Sequence, residues 1–273
     1  MPTVSIITAA YAPKAGFLRE TAASVAAQEL PAGWRLEWVV QEDGVGPSLG
    51  PVLAGHDFVR YEAHDAQLGI SLTRNLALSR ASGQLVQVLD HDDVLLPGAL
   101  ALLLGRFLRN DIHWAVGAAD DLLRDGTRRS WESALPFGLV EAGAVNRWAE
   151  EHGGNWPVHC AGLLMRTDSL RALGGWAGAP LDDDLVTFAA LSELGAGWNE
   201  RTVTWLYRQH ADQTTRSGAL AGMRDVGRRM ALQRAKAVRN AELRFAPTAP
   251  PGFEGDGSVV RLGRNIKLPA DLG

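Results

Sequence analysis

The chain predicts an α/β fold in which helices cover both faces of a mostly parallel sheet. Three observations carry this reading. Short apolar runs alternate with helix-patterned segments through the first hundred residues, and repeated β-α-β units with right-handed crossovers make a parallel sheet. The runs stop at turn-forming residues, as at Tyr11-Ala12-Pro13 and at Asp43-Gly44. The 273 residues, 46% of them hydrophobic, suffice for one large α/β domain or two small ones.

Residues 3–9 form the first apolar strand, and residues 17–28 carry Leu18, Ala22, Val25 and Ala26 at helical spacing. A second strand at 36–40 ends in Gln41-Glu42-Asp43-Gly44. Residues 47–55 are a Gly- and Pro-punctuated loop or weak helix, and 57–61 a third strand. The spacing then predicts a helix over 69–82 with Leu72, Leu76 and Leu78 inward, closed by Gly83 at the C′ position. A buried strand follows at 85–89, and a helix starts near Pro97. The second half is less regular. Strands are expected at 112–118, 158–166 and 203–207, helices at 141–151 and 185–194, and a turn or hairpin at Asp125-Gly126. A long helix is expected over 219–244, with seven basic residues (Arg224, Arg228, Arg229, Arg234, Lys236, Arg239, Arg244) against Asp225 and Glu242. Beyond Pro247 the chain reads as extended, and there is no internal repeat.

Bulk properties exclude several classes. A net charge of −4 argues against a nucleic-acid partner. The single cysteine, Cys160, rules out an internal disulfide and a Cys-based metal site, and fits a reducing compartment. No apolar run approaches the roughly 20 residues of a membrane span, and the first residues lack the basic and long apolar regions of a signal peptide. The expectation is a soluble, cytoplasmic protein.

The chemistry concentrates at Asp90-His91-Asp92-Asp93, where a buried strand drives into three carboxylates. Carboxylates this close repel unless neutralised. A divalent cation does so, and oxygen ligands suit Mg²⁺ or Mn²⁺; the alternative is a turn in which Asp92 or Asp93 caps the next helix. Asp43 ends another strand, so in a parallel sheet it faces the same crevice as Asp90–Asp93, unless Asp43-Gly44 is simply a turn. Arg74-Asn75 lies in the third helix, where Arg74 reaches an anionic phosphate or stays solvated. Neither a GxGxxG nor a P-loop is present. Phosphates would therefore need another positive partner, and a bound metal supplies one.

Read together, these residues resemble the family 2 glycosyltransferases, inverting nucleotide-sugar enzymes of the GT-A fold, over roughly residues 3 to 217. Val4-Ser5-Ile6-Ile7-Thr8-Ala9-Ala10-Tyr11 looks like the family's opening strand, and Glu42-Asp43-Gly44 like its base-contacting acidic strand end. Leu68-Gly69-Ile70-Ser71-Leu72-Thr73-Arg74-Asn75 is similar to the helix ending in Ala-Arg-Asn, with Thr73 in place of Ala. Asp90-His91-Asp92-Asp93 resembles the Asp-x-Asp metal motif, the most specific match. Leu173-Gly174-Gly175-Trp176 resembles the turn before the catalytic acid pair, which is usually Glu-Asp; here Leu181-Asp182-Asp183-Asp184 follows. Tyr207-Arg208-Gln209-His210 with Gln213-Thr214 is similar to the closing Tyr-Arg-x-His segment.

The resemblance implies roles. Ala9, Tyr11, Asp43, Arg74, Asp90, His91 and Arg208 would contact the nucleotide sugar; Asp92, Asp93 and His210 would hold Mn²⁺ or Mg²⁺. Asp184 is expected as the catalytic base with Asp183 second; the three Asp residues also suit a helix cap. Trp131, Trp156 and Trp176 either stack on sugar faces or pack in the core, while His159 and Cys160 read as local structure. The implied organisation is a GT-A domain over 1–218, with a nucleotide-binding half (1–110) and a small mixed acceptor-side half (111–218), then a basic C-terminal helix and tail over 219–273. The expected reaction is metal-dependent, inverting transfer from a nucleoside-diphosphate sugar, UDP or dTDP favoured, to a hydroxyl or amine of a small-molecule or glycan acceptor. The rivals are a nucleotidyltransferase and a non-catalytic sugar-nucleotide-binding module. The basic helix could dock on its own domain, form a homodimer or touch a membrane surface peripherally.

Overall fold

Strand β1 (Thr3–Tyr11) is buried along nearly its whole length, as its apolar run requires, and pairs in parallel with β2 (Arg35–Asp43) and β4 (Leu85–Val88). The structure, a computed structural model, describes residues 1–179, 181–211, 213, 223–252 and 262–263. Strand β3 (Val59–Ala63) lies outside β2, also parallel. Helices α1 (Leu18–Ala26), α2 (Gly50–Leu53) and α3 (Ile70–Arg80) make the connections between these strands. Two-residue β5 (Val94–Leu95) follows β4, and then α4 (Ala99–Phe107).

The second half completes the same sheet. Its strands are β6 (Trp114–Leu122), β7 (Arg128–Ser130), β8 (Gly138–Val140), β9 (Leu163–Arg166) and β10 (Gly197–Arg208). Helices α5 (Ala144–Glu151), α6 (Thr167–Ala172), α7 (Asp183–Leu194) and α8 (Arg224–Asn240) accompany them. The order is β3-β2-β1-β4-β9-β6-β10-β5, with β7 beside β6 and β8 beside β10. Because β9 is antiparallel to both β4 and β6, and β10 is parallel to β6, strands β3, β2, β1, β4, β6 and β10 share one direction. Their carboxyl ends therefore share one edge, and that edge positions the site.

Two apolar layers cover the sheet. One joins Val39, Val86 and Trp114 to Phe188 and Leu191 of α7 and to Ala231 and Ala235 of α8. The other joins Ile6, Trp38 and Trp205 to Leu18, Leu100 and Phe107. Each Val, Leu, Ile or Phe side chain among them contributes about 1.5–3 kcal/mol on burial. The indole N–H of Trp38 donates to Thr8 Oγ1 at 2.9 Å, and the Thr8 hydroxyl donates to the Leu89 carbonyl at 2.7 Å. That relay ties β2, β1 and the end of β4 together just below the edge.

Several expectations are corrected. Helix α3 turns Thr73, Arg74, Ala77 and Leu78 inward and leaves Leu72 exposed, because a buried ion pair at Arg74 sets its rotation. The helix ends at Arg80; Gly83 serves instead for close approach, since a Cβ there would lie 2.6 Å from the Ser5 backbone nitrogen. Strand β10 begins six residues earlier than expected, and β5, β8 and α6 were not anticipated. The predicted start of the last helix, residues 219–222, and most of the tail lie outside the described residues.

Helix α8 packs on its own domain: Gly227, Ala231 and Ala235 are buried, and Arg239 pairs with Glu193 and Glu150. No helix among the described residues is long and apolar enough to cross a membrane.

Candidate active site

The carboxyl edge gathers Tyr11, Asp43, the Asp90–Asp93 turn and Arg208 from β1, β2, β4 and β10. The turn is closed by the Asp93 N–H donating to the Asp90 carbonyl at 3.2 Å, and its four side chains diverge. Asp90 accepts from Arg74 at 2.7 Å. His91 Nδ1 lies 3.3 Å from the Ala9 carbonyl, while its Nε2 is buried without a partner. Asp92 Oδ2 meets His210 Nε2 at 2.8 Å. Asp93 has no exposed surface; one oxygen accepts the Arg208 N–H at 2.9 Å and the other has no partner. Burial, with Asp92 and Asp90 close by, pushes the Asp93 carboxyl well above the ordinary carboxylate range.

Two residues expected at the ligand are thereby committed to the turn itself. Asp93 is turned into the protein. Arg208 donates from Nε to the Asp92 carbonyl at 2.8 Å, pairs with Glu20, and lies 4.2 Å from the centre of the Phe17 ring. Asp92 remains partly accessible, with the buried His210 beside it. Among the described residues no group of three or more His, Cys, Asp or Glu could hold a metal by itself. A carboxylate plus an imidazole would therefore hold Mg²⁺ or Mn²⁺ only together with oxygen ligands from outside the protein.

Asp43 is also engaged by its own chain. Its oxygens accept the Leu68 N–H at 2.7 Å, the Gly69 N–H at 3.0 Å and a contact from His64 Nε2 at 3.0 Å. It thus pins the entrance of α3 to the end of β2, leaving only a spare acceptor position. Tyr11 pairs in register with Asp43. Its ring packs against Gly44, where a Cβ would come within 3.1 Å of it and φ is +116°.

Arg74 is the hinge of the arrangement. Only 2% exposed, it donates to Asp90 at 2.7 Å and to both oxygens of Asp183 at 3.2 and 3.4 Å. Burial alone would weaken its charge, but Asp183 and Asp90 outweigh that and hold the guanidinium charged. Its neighbour Asn75 clamps the segment before the acid turn, donating to the Trp176 carbonyl at 2.9 Å and accepting its N–H at 2.8 Å. Gly175 allows this, because a Cβ there would sit 2.1 Å from Asn75 Oδ1.

The acids at the start of α7 divide. Asp182 is the N-cap residue in a left-handed conformation. Asp183, 4% exposed, is locked to Arg74, and burial lifts its carboxyl to about 6 against the pull of Arg74. Asp184 is half-buried; one oxygen accepts its neighbour's N–H, from Leu185, at 2.7 Å. Burial raises its pKa too, again opposed by Arg74.

Of the three tryptophans, Trp176 is buried in the core and Trp156 donates to Asn146 at 3.1 Å, so only Trp131, 57% exposed, presents a free ring. His159 packs against Trp205 and Tyr207, with ring centroids 4.8 and 4.7 Å away. Thr214 lies outside the described residues. Sequence reasoning missed Asp120 and Asp121 at the end of β6. Asp121 is fully buried and paired with Arg129, and Gln209 donates to it at 2.9 Å; Asp120 has a buried oxygen without a partner. The signal was present, since Ala118-Ala119-Asp120-Asp121 repeats the pattern of apolar strand into acids.

Residues 5–173 match the sequence profile described as Glycosyl transferase family 2. The structure is similar to the crystal structure of S. aureus TarS 1-349 in complex with UDP-GlcNAc, with a TM-score of 0.62, 17% sequence identity, and coverage of 80% of this chain and 61% of that one. The corresponding complex with UDP gives a TM-score of 0.61 at 16% identity, over 77% and 61% of the two chains. At such identities the likeness is one of fold, and the chain spans about three-fifths of TarS 1-349. A 107-residue stretch is 33% identical to "Uncharacterized protein y4gI" of Sinorhizobium fredii, covering 38% of this chain and 12% of that protein.

Proposed function

The chain belongs to glycosyl transferase family 2, and from that premise we propose that it moves a sugar from a nucleoside-diphosphate donor to a hydroxyl or amine of a small-molecule or glycan acceptor, with inversion. The observation that carries this is the Arg74 bridge: one buried cation joins Asp90, at the donor end of the sheet edge, to Asp183, at the start of α7. TarS is described in complex with UDP and UDP-GlcNAc, which favours UDP as the carrier here, ahead of dTDP.

Donor binding falls to the carboxyl edge. Tyr11, Asp43 and His91 border the nucleotide, Asp90 faces the ribose, and Asp92 with His210 would hold Mn²⁺ or Mg²⁺ against the diphosphate. Such an ion, when bound, neutralises charge on the leaving diphosphate. Arg74 supports this side at one remove, by fixing Asp90. Arg208 supports it by fixing the Asp92 carbonyl.

Asp184 is the proposed base. Asp183 spends both oxygens on Arg74, whereas Asp184 commits one oxygen to the Leu185 N–H, makes no other hydrogen bond among the described residues and is part-exposed. Its raised affinity for a proton suits accepting one from the acceptor as that group attacks the anomeric carbon opposite the departing nucleotide. Asp183 in place of the family's Glu shortens the reach to Arg74 without removing the carboxylate. Residues 1–218 would form the catalytic domain, carrying α8 docked upon it.

A binding module consumes nothing, and this decides the test. With UDP-sugar donors, UDP release is expected to require Mn²⁺ or Mg²⁺ and to rise when a sugar acceptor is added. Binding of UDP without release under any donor, metal and acceptor would contradict transfer and leave the module reading.

A further inference from the structure

The acid turn Leu181-Asp182-Asp183-Asp184 lies beyond the segment that matches the family, which ends at residue 173; Arg74 holds Asp183 from within that segment, and a second hold comes from outside it. Asp182 is the first residue of the turn to take a strained course, with φ +59° at a non-glycine position. Left-handed backbone is unfavourable for residues with a Cβ, even though Asp tolerates it better than most. Its carbonyl accepts the Val186 N–H at 2.9 Å. That bond makes the direction of the first turn of α7, and so of Asp183 and Asp184, depend on the Asp182 conformation. Yet the Asp182 side chain makes no capping bond, and its Oδ2 is buried without a partner. The turn does not hold itself.

Helix α8 lies against it. At Gly227 a Cβ would come 2.5 Å from the Leu181 carbonyl oxygen and 3.1 Å from Asp182 Cβ. Backbone is a neighbour that cannot swing aside as a flexible side chain can, so only glycine allows this approach. A glycine inside a 17-residue helix weakens that helix, so its presence at the point of contact fits a packing need. Arg224 and Arg228 of the same helix draw on the Asp182 carboxyl, opposing the upward push of burial. At its other end α8 grips α7 again: Arg239 donates to Glu193 at 2.9 and 3.0 Å and to Glu150 at 3.1 Å. The two contacts set α8 along α7, with the acid turn under its first turns.

We propose that α8 is a positioning element for the reaction, and that Gly227, seated on Leu181 and Asp182, sets where Asp183 and Asp184 point. This rests on the reading of Asp184 as base. It assigns a role in turnover to a helix for which the basic sequence pattern left docking on the domain, a homodimer and a membrane surface open.

The test compares kcat and the donor KM in the full chain. Gly227→Ala is expected to lower kcat by at least about tenfold, the scale of an ångström-sized misplacement of a reacting group, with donor KM changed less than about twofold. Arg239→Lys loses the forked pairing and loosens the far clamp. Its kcat should fall about two- to fivefold with donor KM again unchanged, and it decides the matter should Gly227→Ala not fold. Wild-type kcat in every folded variant of the two, or a loss confined to donor KM, overturns the positioning role. Asp184→Asn separates the premise: wild-type turnover in that variant sinks the base assignment, whereas an inactive Asp184→Asn beside fully active Gly227→Ala and Arg239→Lys sinks the positioning role alone.

Discussion

Asp184→Asn is expected to lower kcat by roughly 10²- to 10⁴-fold, the range that general-base catalysis contributes, while UDP affinity changes less than about twofold. Asn keeps the size of the side chain and can still accept the Leu185 N–H that Asp184 accepts at 2.7 Å. The helix start is therefore preserved and only the proton acceptor is lost. The site also sets the pH dependence of the wild-type enzyme. Burial lifts Asp183 to about 6 and raises Asp184 as well. The two sit side by side and titrate as a pair. A base works only when deprotonated, so activity should fall as pH drops, along a limb displaced upward from the usual carboxylate range. A variant with unchanged turnover would remove Asp184 from the reaction.

Arg74→Leu should be the most damaging change to stability in the site. Arg74 is buried between Asp90 and Asp183, whose side chains are 24% and 6% exposed. Breaking a buried pair by deleting one partner typically costs about 3–5 kcal/mol, because the stranded charge stays buried. The pH dependence follows from linkage. In the wild type Arg74 pulls the Asp183 carboxyl down against burial; without it the native pKa rises further above its unfolded value. The native state then holds a proton that the unfolded chain has released, so stability falls as pH climbs through that window. Urea unfolding should accordingly show a smaller deficit at about pH 5 than at about pH 7.5. A deficit below about 1 kcal/mol, or one that is the same at both pH values, would mean the bridge contributes little. Arg74→Lys keeps a charge but cannot fork to both carboxylates, and should fall between.

Much of the first half of the fold was legible in the chain, for a local reason. Strands β1, β2 and β4 are buried on both faces and so read as continuous apolar runs. Their carboxyl ends carry Tyr11, Asp43 and Asp90–Asp93 because polar groups begin where the sheet ends. The GT-A expectation holds on that basis. What could not be read depends on partners far away in sequence. Helix α3 shows Leu72 to solvent and buries Arg74 because Asp183, 109 residues on, waits for the guanidinium. Strand β9 slots antiparallel between β4 and β6, a pairing without a local signature. Two-residue β5 exists only as an edge to β10. The roles of Asp93 and Arg208 turned on a backbone contact, Arg208 N–H to Asp93, that a motif does not encode. The seven basic residues of the last helix left docking, dimer and membrane contact open; Arg239, Arg234 and Arg228 bond within the chain, to Glu193, the Leu173 carbonyl and Asn155.

Calorimetric titration of UDP into the full chain with Mn²⁺ tests the sheet edge as the donor site most directly. One UDP should bind per chain, and Asp92→Ala, which deletes the carboxylate beside His210, should weaken binding by at least about tenfold. No heat from UDP, dTDP or GDP with either Mn²⁺ or Mg²⁺, or UDP binding that ignores Asp92→Ala, would contradict it.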